Sequence, residues 1–118
     1  MIKLTCHLVR NPALSAEEFQ QHWQTTHAAL IRSVPGIDRW LRRYTQRSSL
    51  EHEGWTGTAA FDGVTEQWFD SYADFEAMIS DPTYRATVGQ DEGVLLDMDK
   101  IVCLITEDVR VITGGDGD

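Results

Sequence analysis

The sequence is short of basic residues, cysteine and proline, and it has no long apolar run. Ten Lys and Arg stand against nineteen Asp and Glu, for a formal net charge of -9 and an isoelectric point near 4.7. Nucleic acid and anionic membranes are both bound through clustered cations that release counterions, so both are excluded as partners. No apolar stretch approaches bilayer-spanning length, and the strand-like start Met1-Ile2-Lys3-Leu4-Thr5-Cys6-His7 has no basic segment followed by a long apolar one, as a secretion signal would. A cytoplasmic protein is expected. The two cysteines, Cys6 and Cys103, lie in separate apolar runs without CxxC spacing and read as buried free thiols. No Gly-rich phosphate loop, nucleotide fingerprint or G-x-S-x-G elbow occurs, and no cofactor is implied.

What is present is the material of one domain. A chain of 118 residues, 42% apolar, buries a core without staples. The domain is expected over residues 1–113, with Gly114-Gly115-Asp116-Gly117-Asp118 as a flexible tail. Cationic charge is concentrated at Arg39, Arg42, Arg43 and Arg47, a segment suited to an anionic group.

Residues Ile2 to Val9 alternate, with Ile2, Leu4, Cys6 and Leu8 on one side and Lys3, Thr5, His7 and Val9 on the other, the period of a strand. Asn11-Pro12 stops it, and Ser15 with Glu18 forms a capping box that opens a helix from Ala16 to about Arg32. Its core stripe is Ala16, Phe19, Trp23, Thr26, His27 and Leu30, flanked by Ile31. Pro35-Gly36 breaks the helix and launches a second strand over Ile37 to Gln46. Ser48 to Gly57, with His52 and Trp55, reads as a polar connection; strand three follows from near Thr58 to Phe69, interrupted at Asp62-Gly63. Ser71 caps a second helix carrying Tyr72, Phe75, Met78 and Ile79, which Asp81-Pro82 ends. Tyr84–Val88 and Asp91–Leu96 add short turns limited by Gly89 and Gly93, and a last strand runs from about Lys100 to Val111.

The order β-α-β-β-α-β predicts an α+β, ferredoxin-like fold: a four-stranded antiparallel sheet with helices on one face. Ile101 to Ile105 are apolar without interruption, so the last strand is greasy toward both faces. At about 25 cal/mol per Å², leaving the second face wet forgoes several kcal/mol, and a second copy of the same sheet is the simplest cover. The expected product is a homodimer whose facing sheets enclose an apolar cavity.

The stretch from Glu18 to Ala28, EFQQHWQTTHA, with Val34-Pro35-Gly36-Ile37 and Asp62-Gly63-Val64-Thr65-Glu66-Gln67-Trp68-Phe69, resembles the EthD family over nearly the whole chain. The resemblance implies a dimeric α/β barrel, and it places the family's helix histidine at His27, here a candidate general acid/base. The bland alternative for His27 is a histidine that caps carbonyls or hydrogen-bonds within the core. The end of a helix favours its charged form while burial opposes it, which puts its titration near neutral pH.

Further candidates come from the residues themselves. Trp40, Tyr44 and Trp68 are strand aromatics suited to lining an apolar ligand pocket or to packing between layers. Glu66 would orient His27, or else pair with an arginine of the neighbouring strand. His7 points away from Leu4 and Cys6, toward the expected inter-sheet cavity. His22 and His27, five apart, diverge by about 140° on an α-helix, so a metal site is not expected. Besides a plain dimerisation module with a dry interface and no pocket, two functions stay open. One is a cofactor-independent enzyme or accessory enzyme of oxidative aromatic, polyketide or ether catabolism, acting on a small apolar oxygenated substrate as an oxidoreductase partner, cyclase, isomerase or dehydratase-type lyase. The other is a non-enzymatic ligand-binding or regulatory barrel serving a neighbouring monooxygenase.

Overall fold

The computed structural model describes residues 1–48, 60–109, 111 and 112. The polar connection with His52 and Trp55, the expected start of strand three and the C-terminal tail lie outside the described residues. Strands β1 (Ile2–Leu8), β2 (Leu41–Ser48), β3 (Gly63–Phe69) and β4 (Val102–Glu107) form one antiparallel sheet in the order β2-β3-β1-β4. This is the ferredoxin-like arrangement, with the helical segments on one face.

The first helical segment opens where the capping box stands. Ser15 Oγ accepts from the Glu18 amide at 3.0 Å, and Glu18 Oε1 accepts from the Ser15 amide at 2.8 Å. It runs as α1 (Ala16–His22), a π turn (Trp23–His27) and α2 (Ala28–Ser33). The second segment comprises α3 (Tyr72–Ser80), α4 (Pro82–Tyr84), another π turn (Arg85–Gly89) and α5 (Gln90–Leu95). Asp81-Pro82 ends α3 as expected, but it also starts the next helix: Asp81 Oδ2 accepts from the Tyr84 amide at 3.0 Å, and Pro82 occupies the first turn, where its missing N–H costs nothing. Gly89 and Gly93 lie within helix and do not bound it.

Strand two begins later than the sequence suggests. Gly36 takes a left-handed φ of 69°, and Ile37–Arg39 coil into a 3-10 turn in which the Arg39 amide bonds Gly36 and the Trp40 amide bonds Ile37. That turn consumes residues 37–39 before Leu41 can pair with Phe69. A register shift between Leu41 and Arg43 bulges β2, so that Leu41 and Tyr44, three apart, both reach the helix side of the sheet.

The helix-side face of β1 carries Ile2, Cys6 and Leu8, all buried. Phe19 and Trp23 of the first helical segment pack on Cys6, Leu8, Leu95 and Leu96. A second cluster gathers Ile2, Phe69 and Met78, and a third Ile31, Val34 and Val88. Wholly buried side chains of this size contribute roughly 1.5–3 kcal/mol each. Thr26 and Ala16, on the expected stripe, are exposed. Trp23 also explains Gly63: a Cβ there would stand 2.6 Å from the indole ring.

Cys6 and Cys103 are not the free thiols expected. The β1–β4 register sets them directly opposite on one face, and they form a disulfide. Two separate apolar runs gave no hint of pairing, because only strand registry brings residues 97 apart together. Among the described residues no helix is long and apolar enough to cross a membrane. On the outer face of β4, Val102 and Leu104 are 53% and 64% exposed.

Candidate functional site

A cavity of about 220 Å³ lies between the helix-side face of the sheet and the helices of the same subunit. The gap arises where the helical layer stands off Leu4, Thr65 and Gln67, on the other side of the sheet from the chamber expected between two subunits. It is smaller than the roughly 300 Å³ at which drug-sized pockets begin. A void of about 150 Å³ holds benzene, so this one takes a single substituted ring. Its wall is mostly apolar, with polar groups from His27, Tyr44, Tyr84, Thr65, Gln67 and Glu92.

His27 ends the π turn of the first helical segment and is buried. Its Nδ1 lies 2.8 Å from Asp91 Oδ2. His22 Nε2 meets the same carboxylate, at 2.8 Å from Oδ1 and 2.9 Å from Oδ2. On an α-helix these two histidines would diverge; the wider π turn closes i to i+5 and brings residues five apart to one side. This corrects the divergence expected from the sequence. The shared partner is a single carboxylate, and among the described residues no three His, Cys, Asp or Glu groups are placed to hold a metal ion.

A carboxylate only accepts, so His27 Nδ1 carries the proton and Nε2 keeps its lone pair. Burial lowers the His27 pKa below its usual 6.5; the Asp91 hydrogen bond and charge oppose this, and His22 adds to it. The ring is therefore a neutral base at neutral pH.

The remaining polar groups are held differently. Gln46 Nε2 donates to the Trp23 carbonyl at 2.8 Å and to the Tyr44 hydroxyl at 3.1 Å. Burial pushes the phenols of Tyr44 and Tyr84 up, keeping both neutral. Burial, with the charge of Asp91 second, raises Glu92 to about 7.

Of the residues singled out from the sequence, His27 and Tyr44 border the cavity. Trp40 does not: it packs against the cluster of Ile2, Phe69 and Met78, with the Arg39 guanidinium 4.1 Å over its ring. His7, Glu66 and Trp68 occupy the opposite face of the sheet. Their side chains alternate with Cys6, Thr65 and Gln67, so lining the helix-side cavity is closed to them. His7 contacts the Phe61 ring at 5.2 Å. Glu66 accepts from Arg47 and, at 2.9 Å, from Lys3; the Arg47 bond, then the Lys3 bond, lowers its pKa to about 2. The Trp68 ring lies between Lys3 and Arg43, 5.4 and 4.6 Å from its centroid. The arginine cluster is thus engaged within the subunit, Arg42 with Asp70 at 2.9 Å included.

The carboxylate bonded to His27 is that of Asp91 and not Glu66, and Asp91, Glu92 and Tyr84 are not among the residues singled out from the sequence. A signal was present. Tyr84, Val88, Glu92 and Leu95 recur at helical spacing, which sets one carboxyl on the buried stripe of an otherwise apolar helix face.

Comparison with known proteins agrees with this architecture. An EthD-family protein of Bacillus halodurans superposes with a TM-score of 0.70 at 21% identity, covering 92% of this chain and 99% of that one. A hydroxynitrile lyase of Passiflora edulis gives 0.69 at 16% identity, with 95% and 96% covered. A Bacteroides fragilis protein described as dimeric, of unknown function and ferredoxin-like fold, gives 0.65 at 15%, with 91% and 95% covered. The comparison with curated proteins found no match. The family model of the EthD domain matches residues 11–99, most of the chain, and the protein belongs to that family.

Proposed function

We propose that this EthD-family protein is a cofactor-independent enzyme that moves a proton of a small, mostly apolar oxygenated molecule bound in the cavity of each subunit. His27 Nε2 is the acceptor. The observation that carries this reading is the 2.8 Å contact of His27 Nδ1 with Asp91 at the wall of an apolar cavity. Asp91 fixes the tautomer and stabilises the imidazolium that forms, and the low-dielectric surroundings keep the base neutral until it acts. The substrate is about one ring in size.

The working form is a homodimer. Support comes from the exposed Val102 and Leu104 on the outer face of β4 and from the similarly folded Bacteroides fragilis protein described as dimeric. In this arrangement the cavity belongs to each subunit and the outer faces meet.

The test is turnover on a panel of phenols, lactones, polyketones and cyanohydrins, the last because one similarly folded protein is a hydroxynitrile lyase. Wild type is expected to turn over a member of one class, and folded His27→Ala to lose about a hundredfold or more of that rate. Saturable binding without turnover throughout the panel would leave the ligand-binding barrel that serves another enzyme. Undiminished turnover in His27→Ala would remove the assigned base.

A further inference from the structure

Glu92 is not used by the proton transfer assigned to His27. Its side chain opens into the same cavity from α5, and among the described residues it has no hydrogen-bond partner. Facing it are Tyr84 from α4, Tyr44 from β2 and its own neighbour Asp91, whose carboxylate is engaged with His22 and His27. No cation stands among these groups except when a histidine is protonated. An ionised carboxyl there would face two phenols across apolar surface beside a second negative charge, whereas a protonated one lacks only something to donate to.

Glu92 is thus a donor in search of an oxygen, on a wall that also holds a proton acceptor at His27.

We propose that Glu92 donates its carboxyl hydrogen to an oxygen of the ligand, which makes the cavity selective for uncharged carbonyl compounds over hydrocarbons and carboxylates of the same shape. The proposal rests on the cavity being the ligand site, and it deepens that reading by giving the substrate its polar handle. A carbonyl held by Glu92 with an acidic C–H toward His27 is a substrate for proton abstraction next to that carbonyl: the C–H electron pair moves toward the carbonyl, His27 Nε2 takes the proton, and Glu92 stabilises the charge developing on oxygen. Because burial and Asp91 raise the Glu92 carboxyl to about 7, the donor is present at and below neutral pH and lost above it.

The test uses three probes of one ring each: acetophenone, its hydrocarbon isostere α-methylstyrene, and benzoate. Binding is measured by calorimetry to the intact protein at about pH 5.5 and about pH 8.5, for wild type, Glu92→Gln and Glu92→Leu. A single neutral hydrogen bond corresponds to roughly two- to tenfold in affinity. Glu92→Leu is expected to weaken acetophenone by that factor at the lower pH and to leave α-methylstyrene unchanged. Wild type loses the same factor on going to the higher pH, while Glu92→Gln, which keeps a donor that does not titrate, holds its preference at both. Benzoate binds weakly throughout. If acetophenone and α-methylstyrene bind with the same ratio in wild type and Glu92→Leu, Glu92 is not the donor, though the cavity remains the ligand site. If no probe binds wild type, the cavity reading falls and the proposal with it.

Discussion

Replacing Glu92 by glutamine should stabilise the protein at pH ~8 and leave it unchanged near pH ~4. The carboxyl has an ordinary value of 4.5 in the unfolded chain and about 7 in the folded one, raised first by burial and then by Asp91. Between those two values the folded protein holds a proton that the unfolded chain has released, so stability falls as pH rises through this window and is level above it. At about 1.4 kcal/mol per pH unit the full loss is roughly 3 kcal/mol, an upper value because water entering the cavity would relax part of it. Glutamine keeps the shape without the charge, so its stability curve lacks this slope. For a domain of this size 1 kcal/mol moves Tm by about 4 °C, and the variant is expected to melt some ~10 °C higher at pH ~8. Urea unfolding or calorimetry at fixed protein concentration reads this directly; the concentration is held because subunit association contributes to stability. Groups common to both proteins, His27 among them, cancel in the difference. A gap of equal size at pH ~4 and pH ~8 would refute the reasoning.

Asp91→Asn should leave the fold intact but lower any His27-dependent rate by about ten- to a hundredfold, since an amide neither fixes the tautomer nor stabilises the imidazolium; nitrogen chemical shifts of the His27 ring report the change. Because burial lowers the His27 pKa, the acid limb of that rate should fall below 6.5, and a limb above that value would contradict the neutral base. Gly63→Ala should cost about 1–3 kcal/mol in chemical denaturation, since the new methyl meets the Trp23 ring at 2.6 Å in a filled core. Thiol labelling of the unreduced, unfolded protein should find neither Cys6 nor Cys103 free, and Cys6→Ala with Cys103→Ala should lose about 3–5 kcal/mol, given a cross-link spanning 97 residues. Protonating Glu66 removes bonds to Arg47 and Lys3, so its contribution is present above about 4.5 and disappears as pH falls toward about 2; Glu66→Gln should flatten the acid limb of unfolding.

Much of the framework is local and therefore legible in one dimension. Alternation in Ile2 to Leu8 sets a strand and its buried side, Ser15 and Glu18 mark a helix start, and Ser71 marks another. His7 lies, as its place in the alternation predicts, on the side of the sheet away from the helices, and the same alternation keeps it, with Glu66 and Trp68, out of the helix-side cavity. The void within the subunit lies on the helix side of the sheet. Apolar content on both faces of β4 says that two layers must cover the sheet, but not which layer stands off far enough to leave a void.

By itself the sequence determined the order of elements, the faces of β1 and the helix bearing His27, because periods of two and of about 3.6 are written residue by residue. Only the tertiary structure decided that His22 and His27 share Asp91, that Cys6 meets Cys103, and that Glu92 opens into a cavity within the subunit. None of these is written in a single segment. A π turn shifts the helix phase locally, and strand registry joins distant runs. The cavity is space left over between packed layers, which no single segment encodes.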